Sequence, residues 1–181
     1  MILDATAANR FIWCKKDSES VIWIDIEKNL EVKPTIYADN SQSPFLPKFF
    51  DTIIFDPPHG WGGGNPIYLY PDAETYNSKF SKPRLIPTYY GWDKFKNHWE
   101  LIGYLYKAQK EFYRILKDDG MLWFKWNTIR ISLHRALSLF ELWHIMMEIS
   151  VKSPTQSAGN NPTYWVCMMK KKVDYVQSIL C

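Results

Sequence analysis

The sequence has 181 residues, is 46% apolar and 17% aromatic with nine Trp, and carries a net charge of +3. That is enough chain for one domain with its own core, and the charge permits a polyanionic partner without demanding one. Cys14, Cys167 and Cys181 are odd in number and lack metal-ligand spacing, which argues against a disulfide framework or a zinc site. No apolar run reaches 18 residues and no signal peptide is evident, so a soluble, cytoplasmic protein without membrane contact is expected.

In chain order, Ile2 and Leu3 form a very short strand that ends at Asp4. Ala5-Thr6-Ala7-Ala8-Asn9 follows, a run of small residues that lets a ligand approach the backbone, or that simply turns the chain. A helix is expected over residues 10–17. A second buried strand, Val21-Ile22-Trp23-Ile24, ends at Asp25, and Ile26 follows it. Asp25 lies at the spacing from Asp4 at which a doubly wound fold sets a carboxylate on a ribose. A weaker third strand over residues 34–38 runs into Asp39-Asn40. The fourth, over residues 52–55, is β-branched and aromatic and runs into Asp56-Pro57-Pro58-His59. Pro57 has no N–H and restricts Asp56 to extended geometry, and Pro58 does the same to Pro57. The strand therefore stops in a stiff corner. Four successive strands end in an aspartate, and in a parallel sheet these would line one edge.

Residues 57–96 read as a long irregular lid or substrate loop, rich in Gly, Pro and aromatics and basic in its second half. That composition suits phosphates and unstacked bases, or a lid that folds on its own aromatics. Residues 98–116 are the clearest helix, with Ile102, Leu105, Tyr106, Gln109, Phe112, Tyr113 and Leu116 on one face. Asp118-Asp119-Gly120 is read as its glycine stop. A fifth strand, residues 121–124, runs into Lys125-Trp126-Asn127. Ser132 caps a helix over residues 133–140. Residues 143–151 and 163–169 make a closing hairpin. The whole predicts an α/β, Rossmann-like, doubly wound and mostly parallel seven-stranded sheet, closed by an antiparallel C-terminal hairpin, in a single domain spanning residues 1–181.

Asp56-Pro57-Pro58-His59 resembles the [D/N/S]-P-P-[aromatic] signature of class I S-adenosylmethionine-dependent methyltransferases, especially those that methylate amino groups such as adenine N6. Leu3-Asp4-Ala5-Thr6-Ala7-Ala8-Asn9 stands where that family places its first cofactor loop, with Ala8 at the usual glycine. Residues 115–120, Ile-Leu-Lys-Asp-Asp-Gly, resemble its turn before the fifth strand. The resemblance covers nearly the whole chain and is nearest to small stand-alone phage and bacterial members. It implies S-adenosyl-L-methionine as cofactor. It implies cofactor contacts from Asp4, Ala5, Thr6, Ala7, Asn9, Asp25, Ile26, Asp39, Asn40 and Asp56. It implies catalysis at Asp56, Pro57, Pro58 and His59, with Trp61, Lys125 and Asn127 toward the substrate and no metal. His59 is open between a base-stacking ring and a plain turn residue, and Lys125 between a phosphate contact and a solvated charge. The implied partner is nucleic acid, RNA or single-stranded DNA. Other implied readings are transfer to a protein glutamine or a small amine, and a non-catalytic RNA-binding subunit. No segment is long enough for a separate target-recognition domain, so sequence-specific duplex methylation is not expected.

Overall fold

Seven strands form one sheet: β1 (Ile2–Asp4), β2 (Val21–Asp25), β3 (Ile36–Tyr37), β4 (Phe50–Phe55), β5 (Leu116–Asn127), β6 (Trp143–Val151) and β7 (Thr163–Lys170). Their order across the sheet is β3-β2-β1-β4-β5-β7-β6. The structure is a computed structural model and describes residues 1–62, 91–151 and 161–172. The first five strands pair parallel, and β7 pairs antiparallel with both β5 and β6. This is the expected doubly wound, mostly parallel sheet with its antiparallel closing hairpin. Its strand order reverses direction between β1 and β4, the crevice where open α/β sheets bind ligands.

Two helices are described, α1 (His98–Ile115) and α2 (Leu133–Leu137). α1 packs Leu101, Leu105, Ala108, Phe112 and Ile115 against Leu3, Ile53, Phe55, Leu122 and Phe124 in the main core. Its buried face is rotated from the expected one, since Tyr106 is exposed and Leu101 and Ala108 lie inside. Asn97 starts α1 by accepting the N–H groups of Trp99 and Glu100, and Ser132 caps α2 by accepting from the Arg135 N–H. On the opposite side of the sheet, Trp13 and Trp23 pack edge to face with Ala7 and Val21. Among the described residues no helix is long and apolar enough to cross a membrane.

Several expected boundaries are corrected. Residues 10–17 form successive turns rather than a helix. Ala8 and Arg10 adopt positive φ, 41° and 56°, which no right-handed helix can absorb. α1 does not end at Gly120. It ends at Ile115, and Leu116 is already extended and pairs with Phe50. Residues 117–120 are an irregularity in the ladder between the Phe50–Leu116 and Thr52–Met121 pairings. Gly120 is there for close approach, because a Cβ on it would lie 2.8 Å from the Leu116 side chain and 2.9 Å from the Asp51 carbonyl oxygen. The fifth strand accordingly begins at Leu116 and reaches Asn127, and α2 stops at Leu137 instead of Phe140. The third strand is only Ile36–Tyr37, and the last one continues to Lys170. Of the expected lid, residues 63–90 lie outside the described residues, as does most of the hairpin loop, 152–160.

Candidate functional site

The small-residue turn after β1 is laced across the strand ends. Ala5 N–H donates to the Ile54 carbonyl of β4, and Ala7 N–H to the Ile24 carbonyl of β2. Ala5 and Ala7 are buried, so larger side chains would push the turn off the sheet. The turn thereby bridges β2 and β4 directly over the switch point.

Three acids meet there. Asp4 is fully buried, with its carboxylate accepting the Thr6 N–H at 3.0 Å and the Trp13 indole N–H at 2.6 Å. Burial, helped by the nearby Asp56 and Asp25 charges, raises its pKa to about 6, against the pull of those two hydrogen bonds. Asp25 is half-buried and clamped by backbone: Ala8 N–H on Oδ2 and Glu27 N–H on Oδ1, both at 2.8 Å. A carboxylate has about four lone-pair sites, so each oxygen keeps one for another donor. Ile26 beside it is 60% exposed, an apolar surface placed next to those acceptors.

Asn40 stands behind the turn. Its side-chain amide donates to the Ala5 carbonyl at 2.7 Å and to the Tyr104 hydroxyl at 2.9 Å. The Ala5 carbonyl can only accept, which fixes the amide orientation. Asn40 Oδ1 is then buried with no hydrogen-bond partner among the described residues. Such an orphan costs about 1–3 kcal/mol unless a ligand donor reaches it. Asp39 is exposed and holds its own turn through Ser41. Asn9 accepts the Val32 N–H and serves as an internal strut.

The Pro-Pro corner is held from both sides. Asp56 N–H donates to Thr6 Oγ1 at 2.8 Å, tying the corner to the turn after β1. Phe55 pairs with Phe124, so the register sets Asp56 opposite Lys125. Lys125 Nζ lies 2.6 Å from Asp56 Oδ2, with both side chains mostly buried. Lys125 is therefore an ion-pair partner of the corner. Of the two readings left open by the sequence, the freely solvated charge is the one this ion pair removes.

His59 hydrogen-bonds the Pro57 carbonyl, and its pKa is lowered because burial outweighs the nearby Asp56 charge. Its ring meets Trp92 edge to face at 5.7 Å. Trp92 belongs to a single 3-10 turn (Trp92–Lys94) and lies flat over Gly60, where a Cβ would sit 2.6 Å from the indole. The Trp92 carbonyl accepts the Gly62 N–H, and Gly91, at φ 67°, packs on Pro58. This turn was not legible as a site element, although Gly91-Trp92 after a basic stretch was its one local signal. The Trp92 indole N–H is buried with no acceptor among the described residues.

The remaining substrate-side candidates divide. Trp61 is half-buried beside His98, with the Arg130 guanidinium 5.5 Å above its ring. Asn127 braces the β5–β7 end: its amide donates to Thr163 Oγ1 and the Asn161 carbonyl, and its Oδ1 accepts the Ile129 N–H.

A scan against protein-family models finds no match, and a search of curated proteins finds none. Solved structures do match. A candidate type 11 methyltransferase from Sulfolobus solfataricus aligns with TM-score 0.52 at 14% identity, over 96% of this chain and 85% of that one. The PH0226 protein from Pyrococcus horikoshii OT3 aligns with TM-score 0.44 at 15% identity, over 75% of this chain and 58% of that one. At such identity the Sulfolobus likeness establishes the fold: this chain has the seven-stranded α/β architecture of that protein.

Proposed function

We propose that this chain is an S-adenosyl-L-methionine-dependent methyltransferase whose acceptor is an amino nitrogen, adenine N6 in unpaired DNA or RNA. The observation that carries the proposal is the Asp56-Pro57-Pro58 corner at the switch point, with its carboxylate held by Lys125 and its amide by Thr6. The residues present fit the cofactor. Asp25 offers two oriented acceptors for a ribose hydroxyl pair, Ile26 an apolar face for a base, and Asn40 Oδ1 an unsatisfied acceptor for an amino group. Asp4, Asp25 and Asp56 make this edge acidic, which suits a sulfonium cation and opposes the phosphates of a dinucleotide. When bound, the cofactor supplies a methyl group already activated on sulfur.

The chain's own work is orientation. An aromatic amine is a poor nucleophile because its lone pair is delocalised into the ring. Acceptors on its N–H groups favour a pyramidal nitrogen with the lone pair free to attack. Asp56 provides one acceptor: Lys125 occupies Oδ2 and leaves Oδ1 for the amine. The Pro57 carbonyl provides the other, with one lone pair turned to His59 and one remaining. The two prolines hold both acceptors in place, so little reorganisation is needed at the reaction. A base must leave its stack to reach a corner this recessed, which favours an unpaired or flipped adenine. Aspartate at the first motif position favours nucleic acid over protein glutamine, because related glutamine-directed enzymes resemble one another in carrying Asn there.

Incubation with methyl-labelled cofactor and unpaired DNA or RNA should yield N6-methyladenine. Asp56→Ala should lower the rate about 10²–10³-fold, as loss of one oriented transition-state partner does, while calorimetry shows cofactor affinity changed only several-fold. Full activity in Asp56→Ala overturns the mechanism. Label recovered in protein glutamine or a small amine changes the acceptor. No cofactor binding at millimolar concentration leaves the non-catalytic, RNA-binding reading.

A further inference from the structure

A row of planar groups leads from the corner to the surface, and it draws on four separate segments: the loop after β4, the Trp92 turn, the start of α1 and the segment after β5. His59 meets Trp92 at 5.7 Å, and the Arg130 guanidinium lies 5.9 Å from Trp92 and 5.5 Å from Trp61. Trp61 meets His98 at 5.8 Å, and His98 meets Trp99 at 4.3 Å. The inner end is packing: Trp92 is 3% exposed and seals Gly60. The outer end is not. Trp99 sits in the first turn of α1 with 65% of its surface exposed, where it contributes almost nothing to the core. Arg130, three residues beyond β5, is exposed and aimed over two indoles.

We infer that the Trp61–His98–Trp99 row, with Arg130 beside it, is the track for the nucleotides flanking the target base of a single-stranded nucleic acid. The inference rests on the reading above of the acceptor as unpaired nucleic acid, and it names the surface that would hold it. Ring separations of 4.3–5.8 Å leave no gap for a base to intercalate within the row. Bases therefore stack on the outer faces, with Trp99 the most open platform. Base-on-aromatic stacking needs a bare base face, which a duplex hides and an unpaired strand presents. Arg130 supplies a planar cation suited both to phosphate and to a stacked base. His59 and Trp92, packed between this row and the corner, tie the track to the element that carries Asp56.

The probe is a fluorescein-labelled, adenine-containing strand of about twelve nucleotides, titrated by anisotropy against the full chain with S-adenosylhomocysteine present. The same strand annealed to its complement is the control. The wild type should prefer the unpaired strand. Trp99→Ala should weaken binding by about tenfold, within the range for losing one stacked base, and Trp99→Phe should recover to within about threefold. Arg130→Gln should weaken binding and reduce the salt slope of log Kd by about 0.7, the increment for one phosphate contact on a single strand; Arg130→Lys should keep the slope. Arg130 and Trp99 lie on different elements, so either series decides if one variant fails to fold. Equal binding of duplex, unchanged binding in Trp99→Ala and Arg130→Gln, or no binding by the wild type overturns the inference. Methyl transfer to a protein or small amine without strand binding overturns it and keeps the methyltransferase. Strand binding through this row without cofactor binding does the reverse.

Discussion

The two sides of the β1/β4 junction are built on different plans. On one side β3, β2 and β1 are 2, 5 and 3 residues long, and turns join them. On the other, β4, β5, β7 and β6 run for 6, 12, 8 and 9 residues, and α1 backs them. The short side adds polar lacing to its apolar contacts: carboxylates of Asp4 and Asp25 are held by N–H groups, and Asn40 braces Ala5. The long side owes its order to apolar packing and an extended ladder, with the Asp56–Lys125 ion pair set at its lip. Short, laced strands beside a long, packed frame suit the function proposed above, in which a cofactor docks on one side and one corner must not move on the other.

The comparison can be broken at Asp4, where the largest effect is expected. Its folded pKa, raised from 3.8 to about 6, makes the ionised form cost on the order of 3 kcal/mol. Between pH 4 and 6 the folded state binds the proton that the unfolded state has lost. Stability from this group is therefore full below pH 4 and lost as the pH rises through 6. Urea unfolding of wild type and Asp4→Asn at pH 4.5 and 7.5 should show the wild type gaining most of that difference at the lower pH. A pH-independent gap would mean that Asp4 is not the strained acid of the short side.

Gly60→Ala tests the long side. A Cβ 2.6 Å from the Trp92 ring must move the ring or the corner, an overpacking cost of about 1–3 kcal/mol. Thermal unfolding should show Tm lower by several degrees, with methyl transfer falling further than cofactor binding. Equal losses of the two would show that the corner and the cofactor side are one unit.

The smallest effect is expected at Ala8. At φ 41° an alanine is strained by about 1–2 kcal/mol, and glycine returns about 0.5–1 kcal/mol of that as unfolded-state entropy. Ala8→Gly should raise stability by at most about 1 kcal/mol and leave the Ala8 N–H on Asp25, which its amide exchange protection would report. Destabilisation would show that the positive φ is not what this turn demands.

Much of the fold was legible because strands announce themselves locally. Val21–Asp25 and Phe50–Phe55 are β-branched and aromatic runs whose ends are marked by an acid, and the prolines after Asp56 mark the second end twice. Residues 10–17 misled because the left-handed backbone just before and at the start of the stretch has no local sign when the residues that adopt it are Ala8 and Arg10. Gly120 misled because a glycine after a helix is so often its cap that a packing role is invisible without Leu116 and Asp51 in view.

By itself, then, the sequence determined the strand set, the parallel order closed by a hairpin, and the acids and Pro-Pro corner at the strand ends. These depend on periodicity and backbone restriction within a few residues. What those groups face is set by contacts between distant segments. Lys125 reaches Asp56 across 69 residues of chain, Asn40 reaches Tyr104 across 64, and Trp92 lies on Gly60 although the two are far apart in sequence. The physical reason is register: which side chains meet across a sheet is set by how strands align, and no local pattern contains that alignment.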